Sequence, residues 1–130
     1  MISRSEIAAK GVFNLIKRKK SYNKYQNKKV SVGGIVFDST KEANRYKELK
    51  LLERAGVIKD LRMQVKYELQ PKFTVSGKTI RAINYLADFV YYDCNQRREV
   101  VEDVKGFRTE VYKLKKKMFE YKYGCEIIEI

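Results

Sequence analysis

Two neighbouring stretches near the middle of the chain constrain its fold most strongly. Residues 85–92 are almost wholly apolar or aromatic, with a single aspartate, Asp88, in their interior. A polar turn at residues 93–96 follows, and residues 99–105 then mix valines with charged side chains. Short apolar runs bounded by turn residues are typical of β-strands. We therefore predict that these two stretches form an antiparallel pair of strands.

The N-terminal half carries turn and cap signals for a hairpin and a helix. Residues 30–32 and 35–37 flank Gly33-Gly34, a pair able to adopt the positive φ angles of a tight hairpin. The sequence Ser39-Thr40-Lys41-Glu42 is a capping box, which predicts the start of a helix that ends near Gly56. Its apolar positions recur at helical spacing: Ala43, Tyr46, Leu49 and Leu52.

The other elements are predicted from shorter patterns. Residues 67–73 indicate an edge or irregular strand because Pro71 interrupts them, and residues 79–85 indicate another strand. A helix is predicted over residues 110–123, and residues 125–130 form a last strand. Thr109 is expected to cap this helix and Gly124 to end it. We expect the helix to bury Val111, Leu114, Met118 and Tyr121. The elements together predict a mixed α and β fold.

The chain contains no histidine. This excludes the usual Ser-His-Asp and Cys-His hydrolases, His-dependent metal nucleases and imidazole acid-base chemistry. Two cysteines without histidine also exclude a structural zinc site, which takes about four such ligands. Catalysis by this chain must therefore use carboxylates, lysine and a bound ion.

Positive charge is concentrated at the two ends of the chain, whose net charge is +13. Residues 1–29 hold nine lysines and arginines against Glu6 alone, and residues 105–123 hold seven against two acids. Clusters of one sign favour binding to a polyanion, and we predict DNA. We expect an N-terminal basic arm over residues 1–29, with a short amphipathic helix at 4–18, ahead of one domain over 30–130. The predicted DNA contacts are Lys17, Arg18, Lys19, Lys20, Lys24, Lys28, Lys29, Thr109, Lys113, Lys116 and Lys117.

Three charged residues of the central strand pair point to chemistry. Side chains alternate between the faces of a strand, which puts Asp103 and Lys105 on one face and Glu102 on the other. A partly buried charge such as Asp88 needs a partner. Two carboxylates on adjacent strands can hold Mg²⁺, which prefers oxygen ligands, and Lys105 would lie beside the water or phosphate. Asp88, Asp103 and Lys105 are therefore the predicted centre of a phosphodiesterase site.

Asp88 followed by Glu102-Asp103-Val104-Lys105 resembles the PD-(D/E)xK nuclease superfamily, in which an acid on one strand precedes acid-x-Lys on the next. The chain from Lys24 onward is also similar to a family of small bacteriophage proteins that resemble Holliday-junction resolvases. The other blocks that carry this likeness are at residues 28–46, 51–58, 85–91 and 100–106 and in the lysine-rich helix after Thr109. The chain departs from the motif at its first acid, which follows Ala87 instead of proline.

The resemblance implies a restriction-endonuclease-like mixed sheet flanked by helices, and Mg²⁺- or Mn²⁺-dependent hydrolysis that leaves a 5′-phosphate. It also implies branched DNA as the substrate, a possible homodimer, and action in the cytoplasm of a bacterial host. Glu42 matches an additional metal-binding acid of many such nucleases, but it can equally complete the capping box. Gln64 either positions phosphate or water or is a surface residue.

Two rival readings are a DNA-binding accessory protein without catalysis on the same fold and a binding protein for single-stranded nucleic acid. The second would expose aromatic side chains along a groove instead of gathering acids in one. A membrane protein is not expected, because no apolar run is long enough to cross a bilayer.

Overall fold

The computed structural model describes residues 29–130. Contacts divide the chain into two units, Met1–Thr40 and Lys41–Ile130. The helix predicted over 4–18 and most of the predicted basic arm lie outside the described residues. Among the described residues, no helix has the length and apolar character needed to cross a bilayer.

A two-stranded hairpin lies in the first unit, as the sequence predicted. Strands β1 (Val30–Val32) and β2 (Ile35–Phe37) pair antiparallel, with Val32 opposite Ile35. Gly33 and Gly34 connect them with φ angles of 57° and 83°. Two successive positive φ angles match the right-handed twist of a hairpin and are costly for other residues, which explains the glycine pair.

Helix α1 (Thr40–Arg54) begins at the predicted capping box. Ala43 and Leu49 are fully buried, as the helical spacing predicted. The chain leaves the helix through Gly56, whose φ is 79° and whose amide donates to the carbonyl of Glu53 at 3.1 Å. The predicted start, end and inner face of this helix are confirmed.

The second unit contains a four-stranded mixed sheet and a small hairpin. The order in the sheet is β3-β6-β7-β8; β6 pairs antiparallel with β3 and β7, while β7 and β8 run parallel. The fold class is therefore mixed α and β, as predicted. The strands in chain order are β3 (Ile58–Gln70), β4 (Phe73–Val75), β5 (Lys78–Ile80), β6 (Ile83–Asp93), β7 (Arg98–Asp103) and β8 (Ile127–Glu129).

Several predicted strands have different bounds in the structure. The strand predicted over 99–105 ends at Asp103, so Lys105 lies just beyond it, and the one predicted over 125–130 covers Ile127–Glu129. The strand predicted over 67–73 is the end of β3, which begins at Ile58 and stops at Gln70, before Pro71. Its first half was missed because charged residues interrupt the apolar pattern. That composition suits an edge strand, and β3 does lie at the edge of the sheet. The strand predicted over 79–85 is also wrong, since residues 81–82 separate β5 from β6.

Helix α2 (Glu110–Tyr123) has the predicted ends but a different buried face. Thr109 accepts a hydrogen bond from the Tyr112 amide at 3.0 Å, and Gly124 ends the helix with φ 64°. Tyr112 and Phe119 are buried, whereas most of the residues predicted to be inside are exposed: Val111 (62%), Leu114 (57%) and Tyr121 (92%). Aromatic rings bury the most area per residue, so their positions decide the rotation of the helix.

The two helices cover opposite faces of the sheet. Val101 of β7 packs in the core with Tyr112 and Phe119 of α2. The next residue, Glu102, reaches Arg45 of α1. Because successive residues of a strand point to opposite faces, these contacts place α1 and α2 on different sides.

Candidate active site

Asp88 occupies an irregular point in strand β6. Gln64 of β3 lies across from it, between the pairs Met63–Phe89 and Val65–Ala87. Ala87 and Val90 both pack in the α2-side core, although strict alternation would send them to opposite faces. Gln64 has a φ of 53°. Such a conformation costs about 1–3 kcal/mol in a residue other than glycine and clusters at functional sites.

The Gln64 side chain joins two predicted site residues. Its Nε2 donates to Glu42 Oε2 at 3.2 Å and to Asp88 Oδ1 at 3.3 Å. Glu42 lies in the first turn of α1 and is 9% exposed. The structure thus brings Glu42 to Asp88 through an amide. Gln64 is itself exposed, so it is a surface residue whose amide contacts two of the predicted site carboxylates.

Asp103 is the last residue of β7 and is almost fully buried. Its Oδ2 accepts a hydrogen bond of 2.5 Å from the Tyr85 hydroxyl. Its Oδ1 lies 3.0 Å from the ammonium of Lys105 but has no hydrogen-bond partner among the described residues. The short distance makes this contact an ion pair, although its angle is poor for a hydrogen bond. One oxygen of this carboxylate is therefore buried and only partly satisfied.

The Lys105 ammonium is held between a carboxylate and a ring. It lies 4.0 Å from the centroid of the Tyr112 ring, and the Tyr112 hydroxyl donates to Glu129 at 2.8 Å. The Lys105 side chain remains 26% exposed. A cation over an aromatic face is attracted by the ring quadrupole, so Tyr112 fixes the place of this charge next to Asp103.

The two aspartates are adjacent. Asp88 Oδ2 accepts a hydrogen bond of 2.8 Å from the amide of Val104, the residue after Asp103. Burial raises the pKa of Asp88 to about 6; the Val104 amide opposes the shift, and the negative charge of Asp103 adds to it. A carboxylate whose pKa is raised by burial and by a second acid is a candidate functional group.

Glu102 is fully buried on the other side of β7. Its Oε1 and Oε2 accept from Nε (2.8 Å) and Nη2 (2.6 Å) of Arg45, and the Tyr91 hydroxyl donates to Oε2 at 2.5 Å. The hydrogen bonds to Glu102 raise the pKa of the Arg45 guanidinium further. Glu102 is thus a structural ion-pair partner, whereas Asp103 belongs to the group around Lys105.

The donor set suits a hard divalent cation only in part. Asp88 and Asp103 offer carboxylate oxygens, one of them the under-satisfied Oδ1 of Asp103. Within residues 29–130, no three acidic or cysteine side chains are gathered closely enough to form a metal cluster. Mg²⁺ needs no such cluster, since it is commonly bound by one or two carboxylates and keeps several waters. The adjacent aspartates meet that requirement.

The predicted DNA contacts divide into four sets. Residues Lys17, Arg18, Lys19, Lys20, Lys24 and Lys28 lie outside the described residues. Lys29 pairs with Asp38 at 3.0 Å within the first unit. Thr109 caps α2 through its side-chain oxygen, so it has a structural role at least. The α2 lysines lie on one stretch of the helix, where Lys113 and Lys117 are exposed and Lys116 pairs with Glu120 at 2.7 Å.

Three further residues shape the site without having been predicted. Tyr85 and Tyr112 hold Asp103 and Lys105, and Lys41 donates from its Nζ to the carbonyl of Lys105 at 3.0 Å. Tyr85 could have been found, because a tyrosine at the start of a buried strand needs a partner for its hydroxyl. The other two depend on how the helices dock.

The chain was compared with protein families, curated proteins and solved structures. Residues 22–127 match the model of a family described as a protein of unknown function (DUF1064). No curated protein and no solved structure matches the chain.

Proposed function

The chain belongs to the DUF1064 family, whose function is unknown, and we propose that it is a metal-dependent endonuclease that hydrolyses phosphodiester bonds in DNA. One observation carries this: Asp88 and Asp103 are adjacent on neighbouring strands, and Lys105 lies 3.0 Å from Asp103. The resemblance of these residues to the PD-(D/E)xK motif supports the same reaction.

The role of each side chain in this proposal follows from its charge. Asp88 and Asp103 would hold Mg²⁺ or Mn²⁺. Glu42, which shares the Gln64 amide with Asp88, would add a further carboxylate beside the ion. Such an ion polarises the phosphoryl oxygen and lowers the pKa of a bound water. The Lys105 ammonium, positioned by Asp103 and the Tyr112 ring, donates to the phosphate oxygen on which negative charge develops. None of these roles requires a histidine.

The substrate follows from charge and from the resemblance. A net charge of +13 suits binding to the DNA backbone. Branched DNA, such as a four-way junction in phage recombination or replication, is the substrate that the resemblance favours, and the bacterial cytoplasm is the matching place of action. Cutting opposed strands of a junction would require a homodimer with two sites.

A second candidate is a DNA-binding accessory protein without catalytic activity. It is favoured by the lack of a three-acid cluster within residues 29–130 and by the ion pair that Asp103 already forms with Lys105. This protein would bind DNA equally well with or without Mg²⁺ and would leave every strand intact.

Incubation with labelled linear, flapped, forked and four-way DNA tests the enzyme directly. We expect cleavage with Mg²⁺ or Mn²⁺, none with EDTA, and loss of cleavage in Asp103→Asn and Lys105→Ala with DNA affinity largely retained. Asp60→Asn and Lys78→Ala, both exposed and outside the site, serve as matched controls. Cleavage by either site variant at the parental rate would show that the assignment is wrong, and the absence of cleavage in the parent would favour the accessory protein.

A further inference from the structure

Two basic cavities lie next to each other beside the proposed active site. The first, of about 480 Å³, is lined by Lys41, Lys105, Phe107, Arg108 and Lys113, among others. The second, of about 360 Å³, continues along α2 to Lys116 and Lys117. Arg108, Lys113 and Glu129 line both cavities. We call the continuous surface formed by the two cavities the basic track.

The basic track carries an excess of positive charge. Six of its lining side chains are cationic and only two, Glu120 and Glu129, are acidic. Both oxygens of Glu129 are already bound, one by Arg108 at 2.7 Å and the other by Tyr112. Four of the cations are ion-paired: Lys105 with Asp103, Arg108 with Glu129, Lys113 with Glu110 and Lys116 with Glu120. Lys41 and Lys117 are exposed and have no ion-pair partner within residues 29–130. Exposed cations without a paired acid in a concave surface attract an anionic ligand.

Phe107 adds an aromatic face to this surface. It lies two residues after Lys105, lines the first cavity and is 73% exposed. An exposed phenylalanine among cations matches the way in which proteins bind unpaired nucleic acid: lysines contact the phosphates, and a ring stacks on a base. In a duplex the base faces are covered by neighbouring bases, so an exposed ring of this kind favours binding to single-stranded DNA.

We propose that the basic track binds an unpaired DNA strand, with Phe107 stacked on a base next to the phosphate at Lys105. The placement of that phosphate rests on the proposed nuclease function, but the binding itself does not. It follows that DNA with a single-stranded tail or branch is the preferred ligand over continuous duplex.

Fluorescence anisotropy in EDTA measures this binding without cleavage. The probes are a labelled single strand of about 15 nucleotides, its duplex, and the duplex with a single-stranded tail. We expect Phe107→Ala to bind the single strand and the tailed duplex roughly fivefold to a hundredfold more weakly, with little change for the blunt duplex. Phe73→Ala, an exposed phenylalanine on β4, is the matched control.

The lysines are tested by the salt dependence of the same binding. Lys113→Gln with Lys117→Gln should lower the slope of log affinity against log salt by about 0.7 for each lost phosphate contact with the single strand. Lys66→Gln with Lys78→Gln, which alters the same net charge on β3 and β5, should leave the slope near the parental value.

Two results would overturn the strand assignment. One is equal binding of the single strand by Phe107→Ala and the parent, and the other is a loss for the blunt duplex as large as that for the tail. If the parent cuts no DNA but the variants bind the single strand more weakly as expected, the role of the basic track is supported and the nuclease proposal is refuted. If the parent cuts DNA but the variants bind the single strand as the parent does, the nuclease proposal is supported and the role of the track is refuted.

Discussion

Replacing Arg45 by methionine removes one partner of the ion pair that is most deeply buried in the described structure. Glu102 is 1% exposed and would keep only the Tyr91 hydroxyl as a donor. Breaking a buried ion pair on one side costs about 3–5 kcal/mol. The cost arises because the Glu102 carboxylate stays buried without the cation that balances its charge.

The geometry of the pair makes this loss large. Arg45 donates to Glu102 from Nε at 2.8 Å and from Nη2 at 2.6 Å, so two hydrogen bonds are lost together with the balancing charge. Methionine replaces part of the arginine stem but supplies no donor. We therefore expect Arg45→Met to lower the free energy of unfolding by about 3–4 kcal/mol at pH 7.

Urea unfolding followed by circular dichroism at pH 7 measures this loss. Arg54→Met, an exposed arginine on the same helix, should change the free energy of unfolding by less than about 0.5 kcal/mol. Adding Glu102→Gln to Arg45→Met should recover part of the loss, because the amide leaves no unbalanced charge in the interior. A loss below about 1 kcal/mol for Arg45→Met would refute the view that Glu102 is a buried charge held by Arg45.

Four more outcomes follow from the site and from the cap of α2. Millimolar Mg²⁺ should raise the melting temperature of the parent but not of Asp103→Asn, since a ligand of the folded state stabilises it. Burial raises the pKa of Asp88 to about 6, so cleavage should fall as the pH drops through 6. Asp88→Asn should lose cleavage but unfold at a higher urea concentration than the parent at pH 7, because it no longer buries a charge; this difference should disappear towards pH 4. Tyr112→Leu should lower kcat at unchanged DNA affinity because Lys105 loses its ring, while Tyr112→Phe should retain most of the activity. Thr109→Ala should cost about 1 kcal/mol in urea unfolding through the lost cap, and Thr109→Ser only a small fraction of that.

The elements that the sequence predicted well are those with local signals. Gly33-Gly34 requires only that its own φ angles be positive, and Thr109 and Gly124 mark the ends of α2 through their own hydrogen bonds and backbone. The pair of β6 and β7 was predictable because a short turn joins two strands that are neighbours in sequence. Alternation along β7 then separates Asp103 from Glu102 without further information.

Contacts that depend on docking could not be predicted in this way. Gln64 reaches Asp88 because β3, distant in sequence and rich in charge, pairs with β6 and because Gln64 takes a φ of 53°. Nothing local signals either fact. The inner face of α2 was wrong because apolar spacing fits both Val111 with Met118 and Tyr112 with Phe119. The contacts of Phe119 with other rings decide which face is buried: its ring centroid lies 4.9 Å from that of Tyr67 and 5.4 Å from that of Tyr85.

The neighbouring acids Glu102 and Asp103 show why burial alone does not identify a reactive group. Both are almost inaccessible to solvent, yet their pairing differs. Both oxygens of Glu102 accept hydrogen bonds from Arg45, whereas Oδ1 of Asp103 has only the ion pair with Lys105 and no hydrogen bond among the described residues. A fully paired carboxylate is stabilised as it stands and gains little from another cation. A carboxylate with an unmet acceptor still gains from one, and Lys105 beside it remains partly open to solvent. Incomplete pairing, on the face that the alternation of the strand selects, is therefore the reason to propose Asp103 and not Glu102 as the acid that binds a metal ion.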